Sequence, residues 1–288
     1  MSKGDNGINF GIKNPVVKFI FYAILILWSV SVLYPLLWTL LDALKDNEQF
    51  FFRAPWALPD FPLLWSNFSY VWDKYHFDSY FLNSIVVTGG STLLGLLLSA
   101  STAYVLARYK FKGSNALYLL YISSMMVPFI LALIPLFFLM NSMNLINTKI
   151  GLIFVYASSV IAFGVFVLVG FFKSLPKELE EASIMDGASY YGTFFRVMLP
   201  LSQPGLITVG IVNVLNIWNE YIVGTILIND PAQYTLPVEI GVMQAEMQYR
   251  TEWGPLFAAL LMTIVPVLIV YIIFQRKIAS GITAGAVK

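Results

Sequence analysis

Apolar residues along this chain gather into long runs rather than alternating with polar ones, at 16–41, 80–106, 116–140, 150–172, 205–228 and 255–274. Each run reaches the roughly 20 residues with which an α-helix crosses the hydrocarbon core of a bilayer. The pattern predicts an all-α, polytopic membrane protein with six transmembrane helices and both termini on one side, with 1–288 forming a single transmembrane domain. The first run is too long for the apolar part of a signal peptide and lacks a small-residue cleavage site, so it is expected as a retained helix.

One long polar interruption carries helix signals of its own, Ser174 to Gly205, SLPKELEEASIMDGASYYGTFFRVMLPLSQPG. Pro176 suits a first helical turn, and Glu178, Glu180 and Glu181 place negative charge at the positive end of the helix dipole, so a short helix is predicted to begin near Pro176. Gly187 permits a sharp or left-handed turn. Tyr191, Phe194, Phe195 and Met198 then recur at helical spacing until Leu199-Pro200, where the run is expected to end. The stretch reads as helix, Gly turn, second helix.

Composition narrows the function. The chain is 58% hydrophobic and 11% charged, with a formal net charge of +1 and no basic stripe, which excludes a nucleic-acid binder. There is no cysteine and one histidine, so there is no disulfide, no thiolate chemistry and no Ser–His or Cys–His pair. No P-loop is present and no His/Asp/Glu cluster has metal-ligand spacing, which argues against a membrane enzyme. His76 reads as an inert loop residue, and the sequon Asn67-Phe68-Ser69 is too short a pattern to carry weight.

The charges orient the chain. Lys3, Lys13, Lys18, Arg108, Lys110, Lys112, Lys173, Lys177, Arg196, Arg276, Lys277 and Lys288 fall on one side, and Lys45, Arg53, Lys74, Lys149 and Arg250 on the other. Twelve against five is a positive-inside bias that puts the loop 173–204 and both termini in the cytoplasm. The short polar start, Met1 to Pro15, is expected to be poorly ordered there. Between the first two runs, aromatic clusters at Phe50-Phe51-Phe52 and Trp56 to Trp65 suit the outer headgroup region, and the prolines among them are expected to forbid a regular helix.

Within the runs, small residues at four-residue spacing, Ser91, Gly95, Ser99 and Ala103, predict a face for close packing on another helix. Pro35, Pro128, Pro135 and Pro266 predict kinks whose freed carbonyls must face protein or a watery cavity. The fifth run holds Asn213, Asn216, Asn219 and Glu220. On one continuous helix Asn213 and Glu220 lie within about 20° of each other, and Asn216 and Asn219 extend the arc to about 120°. Such an arc lines a substrate path. Alternatively Glu220, about 24 Å along its helix, lies near the outer headgroups and caps or bridges neighbours.

The loop carries a more specific pattern: Glu181-Ala182-Ser183, three residues ending in Asp186, then Gly187, nine residues, and Val197-Met198-Leu199-Pro200. It resembles the "EAA" loop of the membrane subunits of binding-protein-dependent ABC importers, with Ser183 for the second Ala and Val197 for Ile. Trp218-Asn219-Glu220 resembles a stretch common in the fifth helix of sugar-type permeases. The ending Gly281-Ile282-Thr283-Ala284-Gly285-Ala286-Val287-Lys288 is similar to that of the shorter permease of maltose-type importers.

The resemblance implies one of two pore-forming permease subunits of an ATP-driven sugar or oligosaccharide importer in the bacterial inner membrane. It further implies a second, homologous permease, two cytoplasmic ATPase subunits that hold the ATP and Mg, and an external solute-binding protein. The loop would be a coupling helix seated in an ATPase groove, with Glu181 contacting a basic residue and Gly187 shaping the turn. The outer segment Asp230 to Trp253, long and acidic, would meet the solute-binding protein. The alternative from another class is an ion-coupled secondary transporter, which also uses kinked helices and a buried Glu, though no doubled repeat is visible. A purely structural membrane subunit would leave the arc and the loop without a purpose.

Overall fold

The computed structural model describes residues 14–249 and 251–286, with side chains as far as Gln275. The N-terminal stretch through Lys13, Arg250, Val287-Lys288, and the side chains of Arg276 and Lys277 lie outside the described residues. Among the described residues the chain is helical throughout: α1 (Pro15–Asp42), α2 (Asn47–Phe52), α3 (Ser66–Lys74), α4 (Phe77–Arg108), α5 (Ser114–Ser124), α6 (Leu133–Ser142), α7 (Lys149–Ser174), α8 (Glu178–Met185), α9 (Tyr190–Thr193), α10 (Leu199–Leu201), α11 (Gln203–Trp218), α12 (Ile222–Leu227), α13 (Leu236–Glu246) and α14 (Trp253–Ala286). Four helices, α1, α4, α7 and residues Trp253–Gln275 of α14, are long and apolar enough to cross a membrane. Two bent pairs, Ser114–Ser124 with Phe129–Ser142 at 97° and Tyr190–Leu201 with Gln203–Trp218 at 75°, raise the number to six if each is one span.

The α4–α7 pair is the spine, and the small-residue face makes it. A side chain at Gly95 would meet Val160 and the Ala157 carbonyl, and one at Gly164 would meet Ser99, so the two backbones approach where there is no Cβ to hold them apart. Ser99 Oγ donates to the Ile161 carbonyl at 3.3 Å, and Ala100, Ala103, Val165 and Leu168 are buried along the same seam. α11 lies against both helices, with Val209 near the Gly164–Ser99 contact. At one pole the ends of α4 and α7 meet α8. At the far pole α4 begins beside α3, and Asn83 Nδ2 donates to the carbonyls of Ala232 and Tyr234 just ahead of α13.

Several sequence expectations need correction. The third run is two helices, because the Pro128 ring disfavours helix for the residue before it and Pro128 itself takes an extended backbone (ψ 122°), and a 3₁₀ turn Phe129–Ala132 restarts the chain. The fifth run also breaks: α11 stops at Trp218, and Asn219, Glu220 and Tyr221 leave the helix before α12. Leu199-Pro200 does not end the loop's second helix, which continues to Leu201. A π-helical turn at Phe194–Met198 leads into Pro200, and its wider ring leaves room for a proline that an α-turn would push against the preceding carbonyl. In the aromatic outer segment the prolines Pro55, Pro59 and Pro62 do keep residues 53–65 out of helix, but short helices α2, capped by Asp46 accepting from Gln49 N, and α3 form on either side of them.

The proline at 35 sits on an exposed stretch of α1, where none of the described residues shelters it. The most apolar 18-residue window of α1 has no buried residue at all, and its contacts in this chain run to α14. At its C-terminal end, by contrast, a buried Asp42–Lys45 ion pair (2.8 Å) and Asn67 Nδ2, which donates to the carbonyls of Ala43 and Lys45, tie it down. That is the structural use of the Asn in the sequon. His76 takes a left-handed backbone (φ 47°) at the start of α4.

Candidate functional site

The 174–205 loop folds as its pattern suggests, with α8 starting at Glu178, two residues past Pro176. Three glutamates occupy its first turn. Its C-terminus closes with Gly187 at φ 84°: Gly187 N donates to Ile184 O at 3.0 Å and Ala188 N to Ser183 O at 3.1 Å, the paired bonds of a Schellman cap. No atom stands within 4 Å of where a Gly187 Cβ would lie, so the backbone angle alone demands glycine there. Ser189 then caps α9 by accepting from Gly192 N.

α8 has two faces. Glu181, Ala182 and Asp186 are exposed, along with Leu179, Ile184 and Met185, which is 88% exposed. Ser183 faces inward and its hydroxyl pairs with that of Thr193 at 3.0 Å, locking α8 to α9. In sequence Ser183 looked like a mere stand-in for alanine. Leu199 is half-buried and Pro200 exposed at the end of the loop. Sequence reading missed Glu180 as more than a dipole charge. It lies one turn before Ser183 on the same inward face, and the Tyr104 hydroxyl of α4 reaches it at 2.5 Å.

The four polar residues of the fifth span do not form one arc. Asn213 is fully buried, with neither side-chain polar atom hydrogen-bonded among the described residues. Asn216 and Asn219 are exposed, Asn219 Nδ2 donating back to Leu215 O. Glu220 has swung off the helix: it accepts from Tyr156 Oη at 2.6 Å and from Val223 N (2.9 Å) and Gly224 N (3.3 Å), the free N–H groups opening α12. The helix break sends Glu220 away from Asn213, because the 100° rotation per residue on which the arc depended stops at Trp218. Trp218 itself is buried and donates to Thr263 O of α14.

At the far pole α13 packs over the break in the fifth span, so close that a Cβ on Gly241 would overlap the Tyr221 ring. The segment 230–253, expected from its length and acidity to meet a solute-binding protein, carries a packed helix rather than only solvated loop. Glu239 on it is buried, and burial, with Glu246 adding repulsion, pushes its carboxyl up from 4.5 to about 7 against the hydrogen bond from Tyr80. The native protein thus keeps a proton that the unfolded chain loses above about pH 4.5, so stability from this group falls as pH rises from there to about 7. Glu239→Gln is expected to raise the melting temperature at pH 8 by several degrees and to flatten its pH dependence. An unchanged slope between pH 5 and 8 in melts of the detergent-solubilised protein would show that Glu239 is already ionised.

Nearby, Glu252 joins α3 to the start of α14. Burial opposes its charge, but hydrogen bonds from Tyr70, Tyr75 and Lys74 more than offset this and hold its carboxyl below the usual range. An open cavity of about 520 Å³ lies beside it, lined by Lys45, Asn67, Tyr70, Asp73 and Lys74. Among the described residues no group of three or more His, Asp or Glu side chains could hold a metal ion.

Four to six helices able to cross a membrane, two of them the close-packed α4 and α7, with a Gly-turned helix hairpin at one pole, define a multi-pass membrane protein. Residues 91–283 match the family described as "Binding-protein-dependent transport system inner membrane component", and the chain belongs to it. It is 38% identical to the diacetylchitobiose uptake system permease protein NgcG of Streptomyces coelicolor, over 92% of this chain and 87% of that one. It is 34% identical to the sulfoquinovosyl glycerol transport system permease protein SmoH of Agrobacterium fabrum, over 98% and 97%. A chain in the crystal structure of a bacterial ABC transporter that imports the acidic polysaccharide alginate shares the fold, with a TM-score of 0.77 at 21% identity, covering 91% of this chain and 96% of that one. Members of the family are non-catalytic, multi-pass permease subunits of ABC importers in the inner membrane, acting with a partner permease, a separate ATPase and a solute-binding protein.

Proposed function

We propose that this chain is one of two unlike pore-forming subunits of an ATP-driven importer of a sugar or oligosaccharide, and that its 174–200 loop is the coupling element, seated on one of two cytoplasmic ATPase subunits. The observation that carries the docking role is the outward face of α8, where Glu181, Ala182, Asp186 and Gly187 stand exposed beside apolar Ile184 and Met185 while the opposite face is held to the bundle. An isolated loop would not leave such side chains in water. The sugar class is supported by the relatives, whose names speak of diacetylchitobiose and sulfoquinovosyl glycerol. The positive-inside count supports a cytoplasmic loop and cytoplasmic termini.

The unburied α1 is the surface that the second permease covers, which also shelters Pro35. At the far pole α13 and the segment around it receive the solute-binding protein. Of the candidate path residues, Asn216 and Asn219 are turned outward and line the sugar's route. Asn213 and Glu220 support that wall from inside, Glu220 by capping α12. ATP and Mg act on the partner ATPase, and no observation favours an ion gradient as the driving force.

The test is reconstitution of the complex with both permeases, the ATPase and the solute-binding protein, followed by ATP hydrolysis with the binding protein offered diacetylchitobiose, malto-oligosaccharides and arabino-oligosaccharides. One sugar should stimulate hydrolysis and be taken up only with ATP. In the same complexes, cysteines replacing Asn216 and Asn219 should react with a water-soluble thiol reagent more in one nucleotide state than in the other. Uptake that follows an ion gradient without ATP would overturn the importer reading, and equal reactivity in every state would remove the two asparagines from the path.

A further inference from the structure

We propose that Glu180 of α8 and Tyr104, Arg108 and Tyr109 at the end of α4 form a rigid joint that passes motion of the docked loop along α4 to the far pole; this rests on the reading of α8 as the ATPase dock. Glu180 Oε1 accepts from Tyr104 Oη at 2.5 Å and from Tyr109 Oη at 3.5 Å. Its other oxygen lies 3.5 Å from Arg108 Nε. That contact is an ion pair without a hydrogen bond, since Arg108 Nε has no hydrogen-bond partner among the described residues. The guanidinium instead donates through Nη2 to the Leu175 carbonyl at 2.8 Å and the Pro176 carbonyl at 3.5 Å. One arginine therefore ties the end of α7 to the start of α8.

The side chains of Arg108 and Glu180 are only 4% and 14% exposed. Water screens such a pair weakly, and removing one partner leaves a buried charge uncompensated, so the position of α8 is defined by charge as well as shape. The Tyr104 ring extends the grip. It packs against Phe172 of α7 (5.5 Å between centroids) and Phe194 of the loop's second helix (5.1 Å), so α4, α7 and both arms of the loop converge on one residue. The outward face of α8 shares none of these contacts and remains open to the ATPase.

α4 suits the transmission role because it is unbroken. Its 32 residues span about 48 Å, whereas the bent pairs would absorb a push at their breaks. Asn83 and Ser84 near its other end hold the approach to α13, Ser84 Oγ accepting from Leu236 N at 2.8 Å. A displacement of Glu180 is thus delivered to the helix that covers the broken fifth span. The chain's lack of cysteine makes the joint measurable.

The experiment places spin labels on cysteines at Tyr191, exposed on α9, which Ser183 and Thr193 lock to α8, and at Lys112, exposed beyond the end of α4, in the reconstituted complex. The label distance should stay narrow and unchanged between the nucleotide-free and ATP–vanadate states. Glu180→Gln should broaden it on ATP–vanadate, and sugar imported per ATP, for the panel sugar that stimulates hydrolysis, should fall about tenfold, toward the lower part of the range a single coupling contact commands. Tyr104→Phe, which removes one hydroxyl and keeps the packing, should broaden it less and so tests the joint even if the Gln variant assembles poorly. Distances unaffected in both variants, or uptake that falls only in proportion to complex yield, would overturn the joint. Glu181→Ala on the outward face separates the two readings: if it uncouples and the joint variants do not, only the joint fails; if it transports normally, the dock fails and the joint with it.

Discussion

Replacing Gly164 by valine is expected to destabilise the folded protein strongly. A first side-chain carbon at this position would stand 2.3 Å from Ser99 Oγ and 2.6 Å from Ser99 Cβ, with Val209 at 3.4 Å beyond. Rotating the serine hydroxyl relieves the first contact but not the second, since its Cβ is fixed to the α4 backbone. The helices must part, and overpacking of this kind costs about 1–3 kcal/mol even where a core can adjust. Here the separation also loses the Ser99–Ile161 hydrogen bond and the buried seam through Ala100 and Leu168. Gly170→Ala in the same helix is the control, because nothing lies within 4 Å of its Cβ position. Thermal unfolding in detergent should show a large drop for the valine, a smaller one for Gly164→Ala, and none for Gly170→Ala. Adding Ser99→Gly should restore much of what Gly164→Ala loses; no recovery would mean that the close approach is not what limits stability.

Gly187→Val should leave the bundle folded while ATP-driven uptake falls tenfold or more. A residue with a Cβ in the left-handed region costs about 1–2 kcal/mol, and a β-branched one more, and about 1.4 kcal/mol is already tenfold in the population of the correct turn. The Schellman bonds to Ile184 and Ser183 then open, and the outward face bearing Glu181 loses its angle to the bundle. Because the space around Gly187 is empty, crowding is not the cause, and Gly187→Asn, which tolerates that backbone, should keep most of the uptake. Valine and asparagine variants with equal, undiminished transport would show that the turn does not set the coupling geometry.

These two glycines mark the division between what could be read early and what could not. Gly187 was legible because a Gly after an acid-led helix, followed by aromatics at helical spacing, demands a turn whatever surrounds it. The small residues of α4 announced a packing face, but only the fold supplied α7 as its partner and Gly164 as the point of closest approach. The loop's exposed residues, Glu181 and Ala182, belonged to a recognisable pattern. Glu180 and Arg108 looked like a dipole charge and an inner-side positive charge, because the residues that make them a pair lie more than seventy positions apart.

The sequence by itself determined the all-helical membrane class, the runs available to span a bilayer and the hairpin between two of them. Bilayer thickness and helix rise act on local composition, and neither needs to know a neighbour. The break at Pro128 was written locally, but tertiary structure decided the break in the fifth span. Breaking at Asn219–Tyr221 leaves backbone N–H groups at the start of α12 without helical partners, and the Glu220 carboxylate accepts from them while the Tyr156 hydroxyl of α7 holds that carboxylate in place. The same holds for Pro200, which a π-turn accommodates, and for Asn213, buried where a continuous helix would have put it beside Glu220. Side chains distant in sequence set those outcomes, and their energies are comparable to a helical turn, so no local pattern could have chosen between them.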